Sequence, residues 1–172
     1  MTLPAARITA LVFAGVFALG SSAVAHTYTV GEIEIGHPST RATAPSARTG
    51  AGYMTLTNIG TEADRLLAAE GEIAERIEIH QTVVTDGVAR MQEQTEGLAL
   101  EPGTTVVLEP GGLHLMMLGL TGPLNEGDDV PLTLTFEQAG EIEIELAVEA
   151  RGTGGDAHEH HDDHEDHDHD HH

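Results

Sequence analysis

Cysteine, lysine and tryptophan are all absent from the 172 residues of this sequence. Without cysteine, the sequence can form no disulfide and can offer no thiolate ligand to a metal ion. A blue-copper electron-transfer centre is excluded for the same reason, since it needs a cysteine sulfur. Aromatic residues make up only 3% of the chain, so no aromatic platform for a substrate is evident.

Positive charge is also scarce. Seven arginines stand against 29 acidic residues, and the formal net charge is −22. Such a charge argues against nucleic acid or anionic lipid as a partner and favours cations and basic protein surfaces. A high-salt habitat would produce the same acidity, and this alternative stays open.

Residues 1–25 have the pattern of a secretory signal peptide. Arg7 precedes the apolar run "ITALVFAGVFAL", and "AVA" at Ala23–Ala25 is a small-x-small cleavage site. The run is short for a membrane span, although an uncleaved anchor is the alternative. We predict cleavage after Ala25, a mature chain that begins at His26, a periplasmic location and no stable membrane association. No cysteine follows the signal, so nothing indicates a lipid anchor.

Short alternating segments follow at intervals of about ten residues, separated by Gly, Pro and Asn. This spacing is typical of an antiparallel β-sandwich or barrel, and no segment keeps a helical period. We expect one domain over residues 26–150, with a long loop at 36–50. The predicted strands are 28–35, 51–58, 64–71, 76–84, 88–95, 104–110, 113–120, 129–136 and 140–150.

Residues 151–172 are expected to form a flexible tail. Its last 17 residues contain eight His and eight Asp or Glu, so it has nothing to bury and should be disordered without a ligand. Affinity tags are usually pure histidine runs, and the interleaved acids indicate a native segment. Imidazole with carboxylate suits Cu(II), Ni(II) or Zn(II) rather than Cu(I). The predicted secondary ligands are His158, His160, His161, His164, His167, His169, His171 and His172.

Strand alternation sorts the histidines and methionines of the domain. Asp86–Gly87 is a strong signal for a two-residue hairpin turn, and this turn pairs Thr82 with Met91. His80 and Met91 then lie diagonally on one face, with backbones about 7 Å apart. That face is opposite to the apolar side of the strand.

The segment "HLMM" at 114–117 sorts in the same way. Leu115 and Met117 share one face, which the leucines mark as the core side, whereas His114 and Met116 share the other. The Cα atoms of His114 and Met116 should be about 6.6 Å apart, a gap that one metal ion can bridge. We therefore expect Met117 to be a core residue and Met116 to be a ligand.

Two imidazoles and two thioethers form a soft, neutral ligand set that favours Cu(I) over hard cations and most zinc sites. The simpler alternative is that methionine fills gaps in the core and histidine decorates the strands. Because two coherent pairs occur in a chain without thiols, we predict a Cu(I) site. Its ligands are His80, Met91, His114 and Met116.

Two further histidines need separate interpretation. Cleavage after Ala25 would free the α-amine of His26 beside its imidazole, and these nitrogens, with another histidine, form the brace of copper oxygenases. This leaves a copper enzyme as an alternative, but no aromatic substrate platform is evident and we predict no enzymatic activity. His37, in "GHP", is expected to be a loop residue.

The ligand spacing resembles that of the periplasmic PCu(A)C family of copper chaperones. Ten residues separate His80 from Met91, and 22 separate Met91 from "HLM" at 114–116, one more than in the family pattern. The segments "IEIGHPSTRATAP", "GAGYMTLTN", "DRLLAA", "ERIEIHQTV" and "PGGLHLMMLGL" are similar to family segments in the same order. The resemblance covers roughly residues 28–148.

The resemblance implies a cupredoxin-like β-sandwich that holds one Cu(I) at an accessible edge. It further implies delivery to a cuproprotein, namely the Cu-A centre in subunit II of cytochrome c oxidase, sometimes with a Sco-type chaperone. Family tails that bind Cu(II) contain His and Met, and the tail here has no Met. The tail would act as a tethered copper reservoir. Sequestration of copper or zinc without a delivery partner remains an alternative.

Overall fold

The structure is a computed structural model that describes residues 27–151. The predicted signal peptide, His26 and the histidine-rich tail lie outside the described residues. Within residues 27–151 all regular elements are β-strands, and no helix there is long and apolar enough to cross a membrane. The prediction of an all-β, cupredoxin-like fold is confirmed.

Eleven strands follow one another along the described chain. Their bounds are β1 Thr27–Val30, β2 Ile33–Arg41, β3 Thr49–Asn58, β4 Asp64–Glu70, β5 Ala74–Thr85, β6 Val88–Glu93, β7 Leu98–Leu100, β8 Thr105–Leu108, β9 Leu113–Leu120, β10 Asp129–Phe136 and β11 Gly140–Glu149.

The strands form one hydrogen-bonded path in the order β6-β5-β9-β8-β3-β2-β11-β10-β4-β7, with β1 added beside β2 and a further pairing between β3 and β9. Most pairings are antiparallel, whereas β11–β2 and β8–β9 are parallel. The path folds over an aliphatic core. A Cβ placed at Gly52 would lie 3.4 Å from Leu115 Cβ on β9 and 3.1 Å from Leu146 Cδ1 on β11.

The predicted loop at 36–50 is wrong in its extent. Strand β2 continues to Arg41 and β3 begins at Thr49, so strand residues occupy about half of that range. The turn-like residues of "GHP" lie in an irregularity between Gly36 and Ser39, where the β2–β3 register shifts. His37 therefore lies within strand β2 rather than in a loop. Its positive φ of 51° belongs to the irregularity. Bulges accept residues that would break a regular strand.

Two other differences come from short elements. The predicted strand 28–35 divides into β1 and β2, which pair antiparallel on either side of Gly31, a glycine with φ 54°. Strand β7 was not predicted, because its three residues, "LAL", are too few to show an alternating pattern.

The β5–β6 hairpin has the predicted register. Asp86 and Gly87 both have positive φ, at 52° and 78°, as a type I′ turn requires. Thr82 pairs with Met91, and His80 pairs with Glu93. Strand β6 ends the hydrogen-bonded path, and all six of its residues are exposed.

Candidate metal centre

Three neighbouring strands carry the four predicted ligands. Strand β5 lies between β6 and β9, and its residue His80 pairs with Glu93 on one side and with His114 on the other. Directly paired residues of adjacent strands project from the same face. The opposite face carries Ile79 and Leu115, both buried in the core.

The two imidazoles meet on this face. Their ring centroids are 5.9 Å apart, and their planes make an angle of 67°. His114 is only 5% exposed, and the side chain of His80 is 15% exposed. The accessible edge implied by the family resemblance therefore does not extend to the imidazoles, which lie inward of the edge strand.

The adjacent methionines of β9 project in opposite directions. Met117 is fully buried in the core, which confirms the prediction made from strand alternation. Met116 is half-buried and pairs with Glu78 on β5. The register therefore places Met116 diagonally across from His80 and two residues along the strand from His114.

Met91 occupies a different position from the other three. It lies on the edge strand, is 59% exposed and pairs with Thr82. Met91 and Met116 are two strands and four residues apart in register, on opposite sides of the histidine pair. In a flat sheet their Cα atoms would be about 16 Å apart, farther than two methionine side chains and one ion can span. The hairpin must coil over the face for both sulfurs to reach one ion.

Hydrogen bonds assign the ring protons of the two histidines. His80 Nε2 lies 2.8 Å from Glu78 Oε2, and His114 Nδ1 lies 3.1 Å from the carbonyl oxygen of Gly112. Both partners only accept hydrogen bonds, so these ring nitrogens carry the protons. In the neutral form of each imidazole, the nitrogens left with free lone pairs are Nδ1 of His80 and Nε2 of His114.

His80 Nδ1 is the one buried side-chain nitrogen or oxygen in residues 27–151 that lacks a hydrogen-bond partner. Buried polar atoms are normally paired, and Thr40, Asn58 and Asp64 in this protein follow that rule. A metal ion bound at Nδ1 would satisfy this atom. Neutral imidazoles whose second nitrogen donates to a carboxylate or carbonyl are the usual form of histidine ligands.

The donors on this face suit a soft metal ion. Among the described residues, no group of three or more histidine and carboxylate side chains could hold a metal ion. The centre instead combines two imidazoles with the thioether of Met116, and the exposed edge strand β6 carries a second thioether, that of Met91. Thioether sulfur favours Cu(I), so the residues present fit the predicted cargo.

Sequence reasoning missed Glu78, which contacts His80, and Tyr53, which lies on the same face of the sheet as the centre. Glu78 and His80 alternate in "IEIH", and this period of two placed them on one face. Tyr53 on β3 follows Gly52, which pairs with Leu115, so Tyr53 projects from the same side of the sheet as His114. Burial raises the pKa of Tyr53, and the nearby Arg41 partly offsets this rise.

The other histidines are either distant from this pair in the strand order or outside the described residues. His37 is exposed on β2, next to Gly36, which pairs with Thr27. His26 and the eight tail histidines lie outside residues 27–151, so their predicted roles remain predictions.

Known proteins resemble this chain in sequence and structure. The chain is 30% identical over 99 residues to "Putative lipoprotein Lxx21020" of Leifsonia xyli subsp. xyli. The matched residues make up 58% of this chain and 60% of that protein. The copper-bound PCuAC domain from PmoF2 has a TM-score of 0.62 and 30% identity, over 73% of this chain and 98% of that one. For CuI-DR1885 from Deinococcus radiodurans the TM-score is 0.56 and the identity 28%, over 74% and 83%.

The family model described as "Putative lipoprotein LpqE-like" matches residues 33–148. This range includes strands β5, β6 and β9 and all four predicted ligands of the centre. The chain spans less than two thirds of the curated relative named above. Because the family model matches more than half of the chain, the chain belongs to the LpqE-like family, which is the PCu(A)C family.

Proposed function

We propose that this protein is a periplasmic copper chaperone that carries one Cu(I) and delivers it to a cuproprotein. The observation that carries the proposal is the His80–His114 pair, in which one nitrogen of each ring makes a hydrogen bond and Nδ1 of His80 is buried without a partner. Structures of relatives support copper as the cargo, because one is copper-bound and another holds Cu(I).

The ligands act in two groups. His80, His114 and Met116 lie on adjacent strands whose pairing is already formed, so little ordering opposes their binding of the ion. Met91 comes from the exposed edge strand and completes the set as the hairpin coils over the face. Three ligands are thus preset, and the fourth belongs to the part of the sheet with the fewest neighbours.

Delivery follows from the position of Met91. An exposed thioether on an edge strand is the ligand that a donor group of an acceptor protein reaches first. The acceptor can replace the ligands one at a time, so the ion moves without being released into water. From the family resemblance, the acceptor is the Cu-A centre of cytochrome c oxidase subunit II, reached directly or together with a Sco-type chaperone.

The PCu(A)C relatives are copper chaperone domains and not enzymes, in agreement with the prediction of no enzymatic activity. A relative is named as a lipoprotein, which supports export of this chain. The present sequence has no cysteine to carry a lipid. We therefore place the mature protein in the periplasm, free of the membrane after cleavage at Ala25.

Adjacent methionines give a matched test of the Cu(I) centre. Met116→Leu removes a proposed ligand, whereas Met117→Leu makes the same chemical change one residue away on the core face. We expect Met116→Leu to weaken Cu(I) binding by about tenfold or more, equivalent to 1.4 kcal/mol. Met117→Leu should bind as the wild type does. Competition with a chromophoric Cu(I) chelator measures both, and equal affinities for all three proteins would remove the proposed site.

A second experiment separates delivery from sequestration. The Cu(I)-loaded protein is mixed with a purified apo Cu-A domain, with and without a reduced Sco-type protein, and Cu-A formation is followed by its absorption. We expect transfer that free chelator does not intercept. Tight Cu(I) binding with no transfer to either acceptor would favour storage of copper.

A further inference from the structure

We propose that Glu78 is a positioning residue that fixes the tautomer of His80, so that the buried Nδ1, and not Nε2, binds the metal ion. The inference rests on the proposed function, because it concerns the same centre. It adds a residue outside the four ligands and names the ligating atom of each imidazole.

The first support is the hydrogen bond between the two side chains. Glu78 Oε2 lies 2.8 Å from His80 Nε2, and a carboxylate can only accept, so the ring proton is on Nε2. The lone pair is then on Nδ1, the buried atom without a partner. With the other tautomer, Nδ1–H would be a buried donor without an acceptor, which costs about 1–3 kcal/mol.

The second support is that Glu78 is itself held in place. Arg76 Nε lies 2.7 Å from Glu78 Oε1, so the two carboxylate oxygens have separate partners. The side chain of Glu78 is 19% exposed, whereas that of Arg76 is 69% exposed. Arg76, Glu78 and His80 alternate along β5 and share one face. The chain of contacts therefore runs from the protein surface to the buried imidazole.

The third support is the contrast with His114. Its Nδ1 donates to the carbonyl oxygen of Gly112, so its free nitrogen is Nε2. The two histidines thus offer different ring nitrogens, each fixed by a partner from its own strand or the turn before it. A carboxylate partner also makes the imidazole a stronger electron donor to a metal ion.

The matched control is Glu93. This residue pairs directly with His80 from the other side, so Glu93→Ala removes a negative charge from the neighbouring position on the edge strand. Among residues 27–151, Glu93 makes no hydrogen bond to either imidazole. An effect of charge alone should appear in both variants, whereas an effect of positioning should appear only at Glu78.

The tautomer is measured directly in the metal-free protein, residues 26–172, by long-range nitrogen–proton NMR of the imidazoles. We expect His80 to be protonated on Nε2 and His114 on Nδ1. In Glu78→Ala the His80 signals should shift toward a tautomer mixture, while Glu93→Ala should leave them unchanged. Glu78→Gln keeps an acceptor of similar size and should retain most of the Nε2–H form. If Glu78→Ala folds poorly, the wild-type measurement still tests the inference, because His80 must then carry its proton on Nε2.

Cu(I) affinity provides the second readout. Loss of an outer partner of a metal-bound histidine typically weakens binding by about 10–100-fold, and we expect such a loss in Glu78→Ala but not in Glu93→Ala. Metal-free His80 protonated on Nδ1 would overturn the inference, as would equal affinities for the two alanine variants. If the wild type binds no Cu(I), the proposed function and the ligation by Nδ1 both fail. The tautomer measurement still decides whether Glu78 fixes the ring.

Discussion

His80 and His114 occupy directly paired positions on β5 and β9, and their ring centroids are 5.9 Å apart. Thirty-three residues lie between them in the chain. Of the four proposed ligands, His114 is the most buried, and the two methionines lie on either side of the histidine pair along the strands. The exposed fraction of each methionine side chain in the described residues therefore helps to distinguish a metal ligand from a core residue.

Methionine oxidation should distinguish ligands from core residues. Met91 is 59% exposed, whereas Met54 and Met117 are 2% and 0% exposed, and only accessible thioethers react readily with peroxide. We expect Met91 to be oxidised first in the metal-free protein and the two core methionines to stay reduced. Ag(I), a redox-inert substitute for Cu(I), should protect Met91 and Met116. Peptide mass spectrometry measures this, and unchanged oxidation of Met91 with bound Ag(I) would contradict its role as a ligand.

Removal of the tail should separate two kinds of metal binding. Deletion of residues 156–172 takes away eight histidines and eight acidic residues, the donors that suit Cu(II), and leaves the β5–β9 centre intact. We expect Cu(II) uptake to fall by several equivalents while one Cu(I) is still bound. Equilibrium dialysis with metal analysis tests both. Equal loss of Cu(I) and Cu(II) would show that the tail belongs to the main site.

The hairpin turn offers a clean test of backbone conformation. Gly87 has a φ of 78°, and a Cβ added there would meet no atom within 4 Å. Gly87→Ala should therefore destabilise the protein by about 1 kcal/mol through backbone strain alone. Gly122 also has open space around its Cβ position but no positive φ, so Gly122→Ala should be neutral or slightly stabilising. Urea denaturation compares the two, and equal stabilities would argue against a type I′ turn.

Tyr53 should give the folded protein a distinctive alkaline transition. Its pKa is raised chiefly by burial, so the unfolded chain releases this proton at a lower pH than the folded protein does. The unfolded state binds fewer protons above a pH of about 10, and stability therefore falls as the pH rises beyond that value. Phenolate absorbance during titration should show a late component that Tyr53→Phe removes. A wild-type titration that lacks this component would exclude the burial effect.

Local patterns predicted much of the candidate centre. Asp86–Gly87 specified a turn with two positive φ angles, and this turn set the pairing of Thr82 with Met91. Alternation then assigned Met117 to the core. These predictions succeeded because hairpin register and the period of a strand depend on residues only a few positions apart.

Other features depend on neighbours that are distant in the chain. The irregularity at His37 keeps "GHP" inside β2, because strands on either side supply hydrogen bonds there. The three residues of β7 form a strand only because β4 lies beside them. Propensity is weak in such short or interrupted segments, and pairing decides their conformation.

The sequence by itself determined which faces His80, Met91, His114 and Met116 occupy on their own strands, because side-chain direction alternates with a period of two. Only the tertiary structure decided that β5 lies beside β9 with His80 opposite His114, that Glu78 contacts His80 Nε2, and that Met91 is left on an exposed edge. Pairing between strands far apart in sequence is selected by burial of the whole core, and no local pattern encodes it.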